Sequence, residues 1–198
     1  MQEISFKIGF FSLLIGYFAI MSYYRRRYSG DKKRVMKKQK NEKLLLFFVG
    51  ISLLLAPLLY LAELIDFASF PLLDWQRIMG GVCALVGIGY FYWTHNTLGK
   101  NWSLMLELKK DHELIMNGPY RYVRHPMYAS LYIIYFGFLI LTANWLVGGL
   151  LLAPFALLYV VRVEPEEQMM IEEFGKKYQD YMKKSGRLFP KLNSTIRT

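Results

Sequence analysis

The decisive segment of this chain is residues 117–128, NGPYRYVRHPMY, and its counterpart is residues 162–167, RVEPEE. Between their charged side chains lie 35 residues, 127–161, that carry no charge. A membrane span takes about 20 helical residues, each rising about 1.5 Å, so this stretch is too long for a single span. We therefore predict a helical hairpin that turns at the sequence TAN, residues 142–144, and carries ionisable residues at both of its open ends.

Three shorter uncharged stretches precede the hairpin, at residues 8–24, 44–62 and 78–94. Each has 17 to 19 residues, which is close to the length of a membrane helix. Hydrophobic residues make up 54% of the chain, more than soluble domains usually contain. The sequence therefore predicts an all-α integral membrane helical bundle of about five transmembrane helices, with the last two as a hairpin.

Basic residues indicate the orientation of this bundle. Residues 25–43, 96–127 and 162–198 contain 23 of the 25 Lys and Arg residues. Five spans place all three segments on one side, and the positive-inside rule makes that side the cytosol, with the N-terminus outside. The first apolar stretch is followed directly by three arginines, which favours a retained anchor over a cleaved leader. The net charge of +10 is thereby explained by topology, so we predict no nucleic-acid partner.

Two kinds of residue in the third apolar stretch have simple structural interpretations. Cys83 is the single cysteine of the chain, and because disulfide frameworks and metal clusters need several, we predict no metal site. Gly80, Gly81, Gly87 and Gly89 are small residues of the kind that let membrane helices approach closely.

The C-terminal third of the chain contains several signals for helix boundaries. His125-Pro126 predicts the start of the fourth helix, because a proline in the first turn loses no hydrogen bond. The fifth helix is expected to end at Arg162, where the uncharged stretch stops. Residues 164–184 then predict a separate amphipathic helix, with apolar residues at helical spacing and lysines between them.

The pattern RHPxY at residues 124–128, followed by RxxxEE at residues 162–167, resembles the isoprenylcysteine carboxyl methyltransferase family. The resemblance runs from about residue 98 to residue 190. It implies an integral membrane enzyme that uses S-adenosylmethionine, with a cytosolic cofactor lobe beside the helices. Membrane phospholipid methyltransferases and some membrane sterol reductases look similar in this region. The motif therefore identifies a superfamily better than it identifies a substrate.

The resemblance also implies roles for individual residues. Arg162 matches the arginine that faces the substrate carboxylate, and we take it as the catalytic residue. One departure from the family pattern is Pro165, where an acidic residue is common. The residues implied to bind the cofactor are Glu107, His112, Leu114, Ile115, Tyr120, His125, Pro126, Met127, Tyr128, Glu166 and Glu167.

We therefore predict that residues 1–198 form a single domain, with three membrane helices in residues 1–96 and a catalytic region in residues 97–198. A carboxylate acceptor is ionised at neutral pH and needs no general base, so its methylation requires placement against the sulfonium methyl and removal of water. We predict methyl transfer to the carboxylate of a prenylcysteine-like or other hydrophobic substrate that enters from the lipid bilayer, with S-adenosylhomocysteine as a product.

Three alternatives remain open from the sequence. A phospholipid or amine N-methyltransferase would need a base such as Glu164 or Glu167 to deprotonate its substrate. A membrane reductase using a nicotinamide cofactor has a similar architecture. A non-enzymatic membrane protein would leave the clustered ionisable residues unexplained. Arg124 by itself equally fits a side chain that extends to lipid headgroups.

Overall fold

The computed structural model describes residues 2–28, 33–36, 42–104, 107–109 and 112–191, with the backbone alone at residues 2, 33–36, 107 and 109. Most of the described chain is helical, which confirms the predicted fold class. Two short strands in the described part of the chain, β1 (Lys33–Met36) and β2 (Glu107–Lys109), pair antiparallel and were not predicted. The elements are α1 (Gln2–Tyr28), β1 (Lys33–Met36), α2 (Glu42–Leu61), α3 (Asp74–Leu98), β2 (Glu107–Lys109), α4 (Pro126–Thr142), α5 (Trp145–Phe174) and α6 (Lys176–Lys184), with short 3₁₀ helices at Asp66–Ala68, Gly99–Asn101 and Gly118–Arg121.

Three of the described helices, α1, α2 and α5, are long and apolar enough to cross a membrane. Helix α4 is apolar but shorter, with 17 residues. Many large apolar side chains of α1, α2 and α3 are exposed on the surface of the bundle, as expected for helices that face lipid. The membrane-protein prediction is confirmed, and the number of five spans stays a prediction.

Helices α3 and α4 pack closely because glycines lie in their interface. A Cβ added to Gly80, Gly87 or Gly137 would lie within 2.9 Å of a backbone nitrogen of the opposite helix. Such a distance is shorter than real Cβ contacts allow, so only glycine fits at these positions. The predicted close approach is therefore confirmed for Gly80 and Gly87. It is wrong for Gly89, which has no such neighbour within 4 Å, and for Gly81, which meets only a leucine side chain at 3.5 Å.

The α4–α5 hairpin turns where the sequence predicts. Helix α4 ends at Thr142, and Ala143 adopts a left-handed conformation with φ of 49°. Asn144 then caps α5, because its side-chain oxygen accepts hydrogen bonds from the first free amides of that helix at 3.0 and 3.1 Å. Its amide nitrogen donates to the carbonyl of Ile65 at 2.7 Å, which ties the turn to the loop after α2.

The predicted helix end at Arg162 is wrong, because α5 continues without interruption to Phe174. Pro165 lies inside this helix. A proline removes one helical hydrogen bond, but the turns around it are fixed by packing, since Val163 and Met169 are buried. Helix α5 ends instead at Gly175, whose positive φ of 53° is readily adopted only by glycine. The predicted amphipathic helix is therefore divided into the last turns of α5 and the separate α6.

A buried arginine joins the helices at the end of the bundle that carries the N-terminus of α1. The guanidinium of Arg77 donates to the carbonyl of Leu141 at 2.9 Å and to the carboxylate of Glu3 at 2.6 Å. Tyr60 donates to the same carboxylate at 2.8 Å, and the ring of Phe6 lies 3.9 Å from the guanidinium carbon. Four helices, α1 to α4, are thus held together at the end of the bundle opposite to Arg124, His125 and Arg162.

Candidate active site

A cavity of about 470 Å³ lies where the helical bundle meets the segments between α3 and α4 and the end of α5. One part of its wall is apolar and comes from the helices. The other part carries ionisable side chains from both of the segments that flank the hairpin. The apolar part includes Tyr17, Met21, Leu46, Val49, Leu53, Leu131, Tyr135, Phe155 and Leu158, and the ionisable part includes Arg25, His112, Glu113, Arg124, His125, Arg162 and Glu166.

His125 lies between two carboxylates at the junction of α4 and α5. Its Nδ1 is 3.6 Å from the carboxylate of Glu166, and its Nε2 is 3.3 Å from that of Glu167. Tyr128, one helical turn further along α4, donates its hydroxyl to Glu166 at 2.9 Å. Burial by itself would lower the pKa of His125, but the two carboxylates raise it above its ordinary value. The pKa of Glu166 is correspondingly lowered by His125, against the opposing effect of burial.

Glu167 binds basic residues on every side. Its side chain is 4% exposed, and its oxygens accept hydrogen bonds from Arg124 at 2.9 Å and from Arg187 at 2.7 and 3.1 Å. Burial alone would raise the pKa of Glu167, but hydrogen bonds from His125, Arg187 and Arg124 lower it to about 2. Both carboxylate oxygens are engaged within the protein, and this residue does not line the cavity.

Arg124 is buried and does not extend to solvent or lipid headgroups. Only 7% of its side chain is exposed, and its Nη1 also donates to the carbonyls of Met182 and Ser185, the first of these at 3.2 Å. The backbone of the same segment is fixed from the other side, since the amides of Arg124 and His125 donate to the carbonyls of Gly186 and Arg187 at 2.8 and 3.0 Å. The segment after α6 therefore holds the RHP element in place.

Arg162 lies on the cavity wall one helical turn before Glu166, as the predicted spacing requires. It is 8% exposed. Its Nη1 donates to the carbonyl of Leu104 at 3.0 Å, and its Nε is 3.6 Å from a carboxylate oxygen of Glu42. This distance is too long for a hydrogen bond, and the buried Nε has no acceptor among the residues that the structure describes. The cavity wall thus carries a guanidinium whose hydrogen-bonding capacity is not filled.

The structure brings most of the predicted site residues together. Pro126 and Glu167 do not line the cavity, and the side chain of Glu107 lies outside the described part of the chain. The predicted residues that line it are His112, Leu114, Ile115, Tyr120, His125, Met127, Tyr128, Arg162 and Glu166.

Sequence reasoning missed the charged residues Arg187 and Glu42, the charged wall residues Arg25 and Glu113, and several uncharged residues of the cavity wall. A buried carboxylate needs a counter-charge, so the adjacent Glu166 and Glu167 were a signal that further basic partners exist. No comparable signal pointed to Glu42, which is far from Arg162 in the sequence. The additional wall residues include Trp102, Leu104, Leu108, Met169, Met170, Tyr178 and Tyr181.

The family model described as phospholipid methyltransferase matches residues 75–177, which is more than half of the chain and includes both ionisable segments. The chain belongs to the phospholipid methyltransferase family. The matched residues cover nearly all of α3, all of α4 and α5, and the segment between α3 and α4, and they include every ionisable wall residue named above except Arg25.

Two curated relatives are consistent with this family assignment. The protein-S-isoprenylcysteine O-methyltransferase of Dictyostelium discoideum is 30% identical over 132 residues, 60% of this chain and 52% of its own length. The nickel-cobalt-cadmium resistance protein NccN of Alcaligenes xylosoxydans xylosoxydans is 29% identical over 111 residues, 56% of this chain and 52% of its own length. The chain thus spans about half the length of these curated relatives.

A solved structure shows that the fold is shared as well. The eukaryotic intramembrane Ras methyltransferase isoprenylcysteine carboxyl methyltransferase superposes with a TM-score of 0.61. The alignment covers 92% of this chain and 67% of that chain, at 21% identity. The resemblance to isoprenylcysteine carboxyl methyltransferases inferred from the motifs is therefore confirmed.

Proposed function

We propose that the protein transfers a methyl group from S-adenosylmethionine to the carboxylate of a lipidated or otherwise hydrophobic substrate, at the boundary between membrane and cytosol. The observation that carries this proposal is the position of Arg162. Its buried guanidinium lies on the wall of a cavity that is apolar where the helical bundle lines it and ionisable where the end of α5 and the segment before α4 line it. An amphiphilic carboxylate needs both environments, and it needs a cation where they meet.

The residues around the cavity suit the proposed cofactor. S-adenosylmethionine carries a sulfonium, an ammonium, ribose hydroxyls and an adenine, and when bound it supplies the electrophilic methyl group. Glu166 offers a carboxylate for a cation or a ribose hydroxyl, and His125 and Tyr128 hold that carboxylate in one orientation. Tyr120 and Tyr178 are aromatic wall residues against which a purine can pack. The donor and acceptor set therefore fits this cofactor.

In the proposed reaction, the protein orients its substrate and excludes water. Arg162 would hold the acceptor carboxylate through charge-assisted hydrogen bonds, which fix both position and direction. The apolar wall formed by α1, α2 and α4 would bind the lipid group and keep water from the acceptor oxygen. No side chain has to remove a proton, since the acceptor is already ionised.

The need for a base separates this reaction from the amine methyltransferase alternative. A protonated amine must lose a proton before it can accept a methyl group. The two candidate bases, Glu164 and Glu167, do not line the cavity, and the low pKa of Glu167 makes it a weak base. Neither of the bases considered for an amine acceptor is therefore placed to act on a substrate in the cavity.

The cofactor assignment predicts a specific loss of binding. Glu166→Ala removes a buried acceptor of a charged or hydroxyl group, so we expect affinity for S-adenosylhomocysteine to fall by about 1.5–3 kcal/mol. Titration calorimetry of the purified protein measures this change. The matched control is Glu172→Ala, an exposed carboxylate of the same helix, which should bind as the wild type does. Unchanged affinity in Glu166→Ala would remove this residue from the site, and absence of binding by the wild type would reject the cofactor.

We also propose that the N-terminus lies outside and that the site and α6 face the cytosol. The proposal is motivated by the concentration of Lys and Arg in three segments. In a Cys83→Ala background, single cysteines at the exposed positions Asp66 and Lys184 report the orientation. An impermeant maleimide should label Asp66→Cys in intact cells and Lys184→Cys only after lysis. The reverse pattern would contradict the orientation.

A further inference from the structure

The partner of Arg162 in this structure is a carboxylate of the protein itself. Glu42 is the first residue of α2, and only 6% of its side chain is exposed. Its oxygen lies 3.6 Å from the Nε of Arg162. Arg162 lines the cavity, whereas Glu42 does not, so the glutamate approaches the guanidinium from behind the cavity wall. Glu42 thus presents to Arg162 the same chemical group that the proposed substrate would present from the cavity.

The contact between the two residues is an ion pair without a hydrogen bond. The Nη1 of Arg162 donates to the carbonyl of Leu104, but its buried Nε has no acceptor. A buried charged N–H without an acceptor has lost its hydrogen bonds to water and has not regained them within the protein. The pair with Glu42 therefore leaves the guanidinium of Arg162 with one N–H donor unsatisfied.

A second carboxylate at this guanidinium would be opposed by the first. Charges interact strongly where water is excluded, and like charges a few ångströms apart repel each other. The acceptor carboxylate and Glu42 consequently compete for one cation. We propose that Glu42 is a placeholder for the acceptor: it pairs with Arg162 in the free enzyme and gives way when the acceptor carboxylate binds. This inference rests on the proposed function, because it assumes that Arg162 binds the acceptor.

The competition has a consequence for substrate selection. An anionic acceptor replaces the charge that Glu42 withdraws, whereas a neutral analogue leaves Arg162 with a weakened pair and nothing in exchange. Glu42 therefore sets a threshold, because an acceptor binds well only if its own charge compensates Arg162 for the lost pair. It lowers the affinity for every acceptor that must displace it, since a ligand that displaces an internal partner binds less tightly than one that does not.

The substitution Glu42→Gln tests this role, because it removes the competing charge and keeps the shape of the side chain. In the free variant, Arg162 then lacks the counter-charge of Glu42. A bound anionic acceptor supplies that counter-charge. We expect the KM for an anionic acceptor to fall at least about fivefold, a typical size for coupling between sites. The KM for S-adenosylmethionine should not change. A residue that only stabilises the fold could not improve acceptor binding.

The experiment uses the full-length protein in detergent or lipid nanodiscs, with N-acetyl-S-farnesylcysteine as the anionic probe and its primary amide as the neutral one. Glu63→Gln is the matched control, since it makes the same change at an exposed site beyond the other end of α2. Thermal unfolding is measured with and without the anionic probe. Glu42→Gln should unfold at a lower temperature than the wild type without the probe, and the probe should stabilise it more.

The outcomes separate this inference from the proposed function. Stronger binding of the anionic probe by Glu42→Gln, with Glu63→Gln unchanged, supports the placeholder. An unchanged or higher acceptor KM overturns it. If the wild type binds the acid and the amide equally, Arg162 does not bind a carboxylate, and the proposed function fails first. Glu42→Asp, which keeps the charge but draws it back by one methylene, should give a KM between those of the wild type and Glu42→Gln.

Discussion

Replacing Arg162 with alanine is expected to abolish methyl transfer and to leave the affinity for S-adenosylhomocysteine nearly unchanged. The guanidinium lies on the cavity wall, and we assign to it the acceptor carboxylate and no part of the cofactor. Removing one partner of a buried ion pair costs about 3–5 kcal/mol. Because each 1.36 kcal/mol changes a rate about tenfold, turnover should fall several hundredfold or more.

The lysine variant and a surface control make this result specific. Arg162→Lys keeps the charge but loses the planar fork of donors, so it should also turn over poorly. Arg26→Ala, at the exposed end of α1, should retain wild-type activity. Turnover measured under cofactor saturation and calorimetry with S-adenosylhomocysteine together decide the matter. A parallel loss of cofactor binding in Arg162→Ala, or activity within a few-fold of the wild type, would contradict the assignment.

Replacing Glu167 with alanine is expected to destabilise the protein around the end of α5 and to abolish cofactor binding indirectly. Glu167 binds the buried Arg124 and His125 and the partly exposed Arg187, so its removal takes a counter-charge from two buried basic groups. A loss of about 3–5 kcal/mol is expected for breaking such a buried arrangement. For a chain of this size, the melting temperature should fall on the order of 10 °C. Thermal unfolding measures the change, with Glu172→Ala as the exposed control on the same helix.

The same network predicts acid sensitivity. The pKa of Glu167 is lowered from 4.5 to about 2 in the folded protein. Its contribution to stability is therefore present above about pH 4.5 and is lost as the pH falls toward 2. This loss should be absent in Glu167→Gln. Weaker cofactor binding by Glu167→Ala at an unchanged melting temperature would instead support the direct cofactor contact that the sequence resemblance implies.

Features set by one or two helical turns were predicted well from the sequence. The turn at residues 142–144 was found because the uncharged stretch is too long for one span, and because Asn144 is a good cap for a helix start. The start of α4 was found because Pro126 suits the first turn of a helix. Both signals act through neighbouring residues, so the rest of the fold does not have to be known.

Features that depend on distant parts of the chain were not predicted. The continuation of α5 past Pro165 depends on packing around Val163 and Met169, which overrides the local tendency of a proline to break a helix. Glu42 and Arg187 join the site only because the fold brings α2 and the segment after α6 to α5. Their positions in the sequence give no sign of this proximity.

The candidate site itself was predicted mainly from the family resemblance. It identified Arg162, His125, Tyr128 and Glu166, and the structure places all four on one cavity. The spacing of Arg162 and Glu166 on one helix gave independent support. Spacing could not distinguish Glu166 from Glu167, because adjacent helical residues point in different directions and only the surrounding structure decides which of them faces the cavity.

The most direct test of a carboxylate acceptor is the chemical stability of the methylated product. Membranes containing the protein are incubated with S-adenosylmethionine carrying a radiolabelled methyl group and with N-acetyl-S-farnesylcysteine. The lipid extract is then treated with mild base, and volatile label is collected. The proposed function predicts a methyl ester. Base should therefore release the label as methanol from the wild-type product, and Arg162→Ala should form no labelled product. Label that remains in the lipid fraction after base would show transfer to an amine and would contradict the account.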